Sequence, residues 1–317
     1  MLFISADRLR QVVPMPDAIE AVRRAYTNVS AGTVEQPTRL VLERGTALAM
    51  MARDRETGAT VLKALTIRPD NPTAGLPAIQ ALVILFDGKS GTPRAVIDGT
   101  SLTALRTGAA SGVGTALLAP ADSHVLGMVG AGAQSADQIR AVCCVRPITQ
   151  VRIASRTAAR ARQLAVRLRD ELPKVQFVPV EAIGEAVSDA DVICTATPST
   201  APLFEANLLK PTVHVNAVGA FTPEMCELPP ELLRDARIVA IDEYEAAMVE
   251  AGDLLQAIDQ GFLTPDRLIE IGTLLTNPPS LRTGWTVFKS VGIAAQDLAV
   301  AEVAANRAPK SDDTAWS

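Results

Sequence analysis

The sequence predicts an α/β protein: a doubly wound parallel sheet preceded by a separate α+β segment. Three observations carry this. From about residue 125 onward, short β-branched runs alternate with helical stretches, the pattern of successive strand–helix–strand units. Before residue 120, extended runs dominate and are separated by turn residues. After residue 290 a helical pattern has no strand to follow it, and is expected to return to the first segment.

In chain order, the first helix is 16-PDAIEAVRRAYTNVSAG-32, with Asp17 near its start and Gly32 at its end. Extended runs follow at 39–52, 60–67, 78–86 and 94–98. The polar stretch 87-DGKSGT-92 joins the last two as a hairpin. A helix of small residues, 101–118, leads into 125-VLGMV-129, the first of six predicted parallel strands. The others are 151–154, 175–180, 191–197, 212–219 and 237–242, with helices such as 158–172 and 182–190 between them. The tail 290–308 reads as an amphipathic helix, and residues from Pro309 are expected to fray.

At 317 residues the chain has room for two domains. It is 48% hydrophobic, yet no run approaches the roughly 18 apolar residues of a membrane span. Asp7 and Arg8 interrupt the place where a signal peptide needs its apolar centre, so the expected setting is the cytoplasm. A net charge of −5 without a dense basic tract argues against nucleic acid and anionic membrane as partners. Cys143, Cys144, Cys194 and Cys226 lack ligand spacing and read as ordinary buried thiols. His124 and His214, the only histidines, read as structural, and no metal site is expected.

Gly130-x-Gly132-x-x-Ser135 follows an apolar strand and opens a helix, the context of a dinucleotide-binding turn. Gly130 allows the tight turn, Gly132 lets backbone N–H groups approach a pyrophosphate, and Ser135 is small enough for helix–strand packing. The helix N-terminus favours the anion by about 0.3–1 kcal/mol per charge. NAD-selecting domains of this type carry an acid at the end of the second strand. Here that strand ends in Ser155, Arg156 and Thr157, a guanidinium and two hydroxyls suited to a 2′-phosphate. The expected cofactor is NADPH, with NADH the weaker candidate.

Arg39, Lys63 and Arg106 lie in or beside apolar sequence, where a charge without a partner is costly. Taken singly, each is more often a snorkelling or salt-bridged cation than a ligand. Two or three converging on one carboxylate would explain their burial, each pair near 4 Å being worth about 4 kcal/mol at an effective dielectric of 20.

Along nearly its whole length the chain resembles the ornithine cyclodeaminase/mu-crystallin family. The resemblance rests on 37-PTRLVL-42, 61-VLKALTIRPDN-71, 75-GLPAIQALVILFDGKSGTPRAVIDGTSLTALRTGAAS-111, 129-VGAGAQS-135, 194-CTATPS-199, 215-VNAVGAFTPEMCEL-228 and 288-FKSVGIAAQDL-298. It implies a discontinuous substrate-binding and dimerisation domain, residues 1–117 plus 293–317, with a Rossmann domain inserted at 118–292. It also implies that Arg39, Lys63 and Arg106 bind a substrate carboxylate, with Lys63 next to the reacting atoms as the catalytic residue. Phe221 and Val291 would line the substrate. Arg106, Gly130, Gly132, Ala133, Gln134, Thr197, Asn216, Val218 and Ser290 would line the cofactor, beside Ser155, Arg156 and Thr157. Members pass hydride between a nicotinamide and the α-carbon of an amino or imino acid.

Cyclodeaminases resemble one another in a segment whose aspartate handles the substrate amine. Here the segment is 219-GAFTPEMCE-227, with Phe221 at that position, and Met50 stands where an acid is common. Both departures remove negative charge that a diamine needs and point to a cyclic ketimine such as Δ1-pyrroline-2-carboxylate or its six-membered homologue. Ornithine cyclodeamination and alanine dehydrogenation are the alternatives, and Glu227, Asp242 and Glu243 the alternative acids.

Overall fold

The computed structural model describes residues 1–42, 46–68, 70–280 and 283–309. The chain divides into two compact units, Met1–Arg106 with Ile293–Ser317, and Thr107–Gly292. From the N-terminus the elements are β1 (Leu2–Ile4), α1 (Ala6–Val12), α2 (Met15–Ser30), β2 (Val34–Glu35), β3 (Leu40–Leu42), β4 (Ala47–Asp54), β5 (Thr60–Ile67), β6 (Ile79–Phe86), β7 (Pro93–Asp98) and α3 (Gly99–Leu118).

Next come β8 (Val125–Val129), α4 (Ser135–Val145), β9 (Gln150–Ala154), α5 (Ala158–Arg169), β10 (Gln176–Val180), α6 (Ile183–Val187), β11 (Val192–Thr195) and β12 (Thr212–Ala217). The chain closes with α7 (Pro230–Asp235), β13 (Ile238–Ile241), α8 (Tyr244–Glu250), α9 (Gly252–Asp259), β14 (Leu268–Glu270), α10 (Ile271–Thr276), β15 (Gly284–Lys289) and α11 (Ala294–Arg307).

In the second unit the strands form one sheet in the order β10-β9-β8-β11-β12-β15-β13-β14. Every pairing is parallel. The sheet is doubly wound, as expected, but has eight strands rather than six. β15 inserts between β12 and β13, where GWTVFK is buried on its last four residues, so neither alternation nor a helical period shows in the sequence. β14 is three residues long, too short for any period to be read. Leu126, Met128, Ile139, Val151, Ile153 and Leu168 anchor the core on one side of this sheet.

In the first unit a seven-stranded sheet runs β1-β7-β6-β5-β4-β2, with β3 also paired to β4. The extended run expected at 39–52 is two strands that pair with each other, Leu40 opposite Ala49 and Leu42 opposite Ala47; residues 43–45 lie outside the described set. β6 and β7 form the expected hairpin. The tail helix starts at Ala294 rather than 290, and packs on α2 and on β4 to β7. The expected fraying beyond Pro309 concerns residues 310–317, which lie outside the described residues. β1, α1 and β2 have no counterpart in the sequence reading.

Register gives this sheet two unlike faces. On the face turned to the helices, Met50, Lys63, Val83 and Ile97 stand in one cross-strand row. Met50, Val83 and Ile97 are buried apolar residues, and Lys63 is as buried as they are, at 1% exposure. On the other face Ala49, Ala64 and Leu82 form the corresponding row. Beside it Leu40 and Leu42 are exposed, and the face holds a groove of about 860 Å³.

The cysteines only partly follow expectation. Cys194 and Cys226 are buried and Cys143 is half-buried, but Cys144 is exposed. Adjacent helical residues point about 100° apart, so α4 turns only one of the pair inward. Among the described residues, no helix is long and apolar enough to cross a membrane, and no group of three or more His, Cys, Asp or Glu is arranged to hold a metal.

Candidate functional site

In the second unit, β8 ends at Gly130 and α4 starts at Ser135. Gly130 has φ +112°, and a Cβ there would lie 2.6 Å from the Ala196 carbonyl oxygen, so the turn requires glycine. Gly132 meets no such obstacle: a Cβ on it would find nothing within 4 Å. Its N–H donates to Ser135 Oγ at 3.0 Å, and Ser135 is fully buried. Ala133 is exposed, while Gln134, directly before α4, keeps its Oε1 buried without a hydrogen-bond partner. A turn closed to side chains at one glycine, open at the next and backed by helix amides suits a dinucleotide pyrophosphate.

Ser155, Arg156 and Thr157 follow β9 at the carboxyl edge of the sheet. Arg156 and Thr157 are exposed, and the Thr157 N–H donates to Ser155 Oγ at 3.4 Å. Thr197 follows β11 and is tied to Glu227. Glu227 Oε1 accepts from the Thr197 N–H at 2.7 Å and its hydroxyl at 2.8 Å. Oε2 accepts from Thr195 Oγ1 and the Gly219 N–H, each at 2.8 Å. Burial pushes the Glu227 carboxyl up, against the pull of the Lys289 charge.

Asp242 Oδ2 accepts the backbone N–H groups of Val291 and Gly292 at 2.8 and 2.7 Å. Glu227 and Asp242, two of the three alternative acids, are therefore the anchors of loops at the carboxyl edge of the sheet. Asn216 is fully buried; its amide donates to Thr115 Oγ1 at 2.9 Å, and its Oδ1 lies 3.1 Å from His214 Nε2. Burial lowers His214 to about 3, so it is a neutral structural residue. Val218 and Val291 are nearly buried and Phe221 half-buried. The Ser290 hydroxyl is buried without a partner.

In the first unit the three cations come together. Lys63 Nζ lies 2.7 Å from Asp297 Oδ2, and Arg106 Nε lies 3.3 Å from Asp297 Oδ1. The Arg106 and Arg39 charges both reach Lys63, depressing it further. Burial is the largest influence and lowers the Lys63 amine to about 7; Asp297 opposes it. Arg106 Nη1 donates to Gln296 Oε1 at 2.7 Å, and Gln296 Nε2 donates to the buried Tyr26 hydroxyl. A concentration of positive charge beside apolar Met50 and Val83 is suited to a small carboxylate carried on an apolar body.

Sequence reasoning missed Asp297, Gln296 and Tyr26. One signal was available: Asp297 sits four residues before Ala301 and three after Ala294, on the apolar face of its helix. An acid on an apolar stripe calls for a buried cation.

The sequence model of the ornithine cyclodeaminase/mu-crystallin family matches residues 2–312. A Δ1-pyrroline-2-carboxylate reductase of Bacillus cereus is 37% identical over 316 residues, 97% of each chain. The structure of Thermococcus litoralis Δ1-pyrroline-2-carboxylate reductase in complex with NADH and L-proline has a TM-score of 0.92 at 30% identity, covering 97% of each chain. An archaeal alanine dehydrogenase dimer with bound NAD has a TM-score of 0.88 at 31% identity, covering 97% of this chain and 95% of that one. The glycine turn, the gathered cations and these likenesses agree: the chain belongs to the ornithine cyclodeaminase/mu-crystallin family.

Proposed function

We propose that this protein reduces a cyclic ketimine carboxylate, Δ1-pyrroline-2-carboxylate to L-proline and the six-membered homologue to L-pipecolate, using NADPH in preference to NADH. The observation that carries the reading is the meeting of Lys63 and Arg106 at Asp297, within reach of the Arg39 charge and beside the neutral Met50. Relatives whose names specify this reaction, or whose structure holds NADH and L-proline, support it. Residues 1–117 with 293–317 bind substrate in this reading, and residues 118–292 bind the cofactor.

When bound, the nicotinamide supplies a hydride to the imine carbon. The chain supplies the rest. Arg39, Lys63 and Arg106 hold the carboxylate and fix the adjacent C=N in place. As the carbon gains hydride, the C=N electron pair moves to nitrogen, which takes its proton from the Lys63 ammonium unless the iminium is already formed. An amine with a value about 7 is suited to giving that proton near neutrality. Gly130, Gly132, Ala133 and Gln134 hold the pyrophosphate, and Arg156 with Ser155 and Thr157 holds the 2′-phosphate. Thr197, Val218 and Ser290 would flank the nicotinamide, with Phe221 and Val291 toward the substrate ring and Arg106 serving both ligands, while Asn216, buried on Thr115 and His214, would back that wall without touching the ring. Phe221 and Met50 offer no charge to a second amine, which disfavours ornithine.

A second copy of the chain covers the apolar outer face of the first sheet, giving a homodimer. Leu40, Leu42 and Leu82 are exposed there, and an archaeal relative is described as a dimer. Four free thiols fit a reducing, cytoplasmic setting.

The test is reduced-cofactor oxidation with Δ1-pyrroline-2-carboxylate, Δ1-piperideine-2-carboxylate and pyruvate plus ammonia, alongside ammonia release from L-ornithine with NAD. The pyrroline with NADPH is expected to give the highest kcat/KM, and Arg156→Ala to remove the NADPH preference. Ammonia release from ornithine, or turnover confined to pyruvate plus ammonia, overturns the assignment.

A further inference from the structure

We propose that Gln296 and Asp297, adjacent at the start of α11, are positioning residues for the carboxylate site: Gln296 orients the Arg106 guanidinium, and Asp297 keeps the proton on Lys63. The proposal rests on the reading of Lys63 and Arg106 as carboxylate-binding groups, and extends it to two residues that touch neither substrate nor cofactor.

The geometry divides the labour. Lys63 stands in a row with Met50, Val83 and Ile97, whose apolar side chains offer its ammonium no oxygen or nitrogen acceptor. The charged groups facing it come from three other segments: Asp297 from α11, Arg106 from α3 and Arg39 from the stretch before β3. Two of these three are cations and repel the Lys63 proton. Asp297 alone attracts it, from 2.7 Å, and is itself fully buried with both oxygens turned to cations. With Lys63 protonated and no substrate, the four groups carry a net +2, from three cations and one carboxylate; a bound carboxylate brings this to +1. Removing Asp297 leaves three cations together in a low-dielectric site, and the lysine is the one that can give up its proton.

Gln296 has a different task. Its Oε1 accepts from Arg106 Nη1 at 2.7 Å and from the Ile293 N–H at 3.1 Å, which fixes the amide with Nε2 toward Tyr26. The guanidinium is thus held at Nη1 by Gln296 and at Nε by Asp297, which turns Nη2 to the remaining side for a ligand carboxylate. Since Gln296 is neutral, its loss is expected to disturb direction and not charge.

The experiment compares Asp297→Asn, Asp297→Glu and Gln296→Leu in two readouts. The first follows the Lys63 side chain by NMR of protein labelled at lysine Cε, assigned with Lys63→Arg and titrated without substrate. The second is the pH profile of kcat/KM with Δ1-pyrroline-2-carboxylate. Asp297→Asn is expected to lower the Lys63 midpoint by at least about one pH unit, with the alkaline limb of kcat/KM moving the same way. Asp297→Glu is expected to restore most of that shift. Gln296→Leu is expected to leave the midpoint within about 0.3 unit while raising KM about tenfold, the loss of one well-aligned charge-assisted contact.

An unmoved midpoint in Asp297→Asn, or an equal shift in Gln296→Leu, overturns the proposal. Should the asparagine variant not fold, Asp297→Ser gives the same titration with less crowding. A falling midpoint in a protein that turns over no ketimine overturns the substrate assignment but keeps the role of Asp297. Normal turnover with an unmoved midpoint does the reverse.

Discussion

Gly132→Ala separates what the fold needs from what the cofactor needs. A methyl group at this position meets no protein atom within 4 Å, and the residue does not use the left-handed backbone region. Folding stability is therefore expected to stay level or rise by about 0.4–1 kcal/mol, because alanine narrows the unfolded ensemble. A pyrophosphate lying against that turn would meet the methyl directly. Overpacking costs about 1–3 kcal/mol, which weakens dinucleotide binding about 5- to 150-fold. Gly130→Ala is the contrast: φ +112° and an approach of 2.6 Å to the Ala196 carbonyl oxygen make it a folding defect. Strain and crowding together cost about 2–5 kcal/mol, or about 5–15 °C in a unit of this size. The assay is thermal melting without cofactor beside calorimetric titration with NADPH and NADH. The reasoning fails if Gly132→Ala binds both cofactors within twofold of the parent, or if it melts more than about 3 °C lower.

Three further outcomes are expected. Glu227→Gln turns an amide NH₂ toward one of the donors now satisfied by the carboxylate, so it should cost about 2–4 kcal/mol in urea unfolding; an unchanged midpoint would refute the anchoring role. Leu82→Arg introduces a charge into the row of Ala49 and Ala64, and light scattering should report a monomer; an unaltered mass removes this face as the contact between copies. The Lys63 amine is held near 7, below its ordinary 10.5. Between these values the unfolded chain binds a proton that the folded chain does not, so stability rises with pH in that window. Relative to Lys63→Met, the parent should gain about 1.4 kcal/mol per pH unit from pH 7 toward 10 and be flat below 7; a parallel pair of curves would refute the depressed amine.

Much of the second unit was legible in the sequence because its signals are local. A strand, two glycines and a helix start occupy adjacent positions, so the turn at Gly130–Ser135 is readable without knowing what lies opposite. The two added strands were not readable: β14 is too short for a period, and β15 is buried where alternation would have shown. Met50 and Lys63 were each singled out as separate residues, but that they stand side by side follows only from strand register.

By itself the sequence determined the α/β class, the glycine turn, the absence of an acid at Arg156, and three cations in apolar surroundings. It determined these because each is a property of a few neighbouring residues. Only the tertiary structure decided that Lys63 and Arg106 share one counter-ion, that Glu227 and Asp242 are anchors for backbone amides, and that Lys63 sits in a buried row beside Asp297. Each depends on residues from separate segments meeting at contact distance, Lys63 and Asp297 from more than two hundred positions apart. A buried charge is defined by its partner, and the chain names that partner only once α11 has returned to the first sheet.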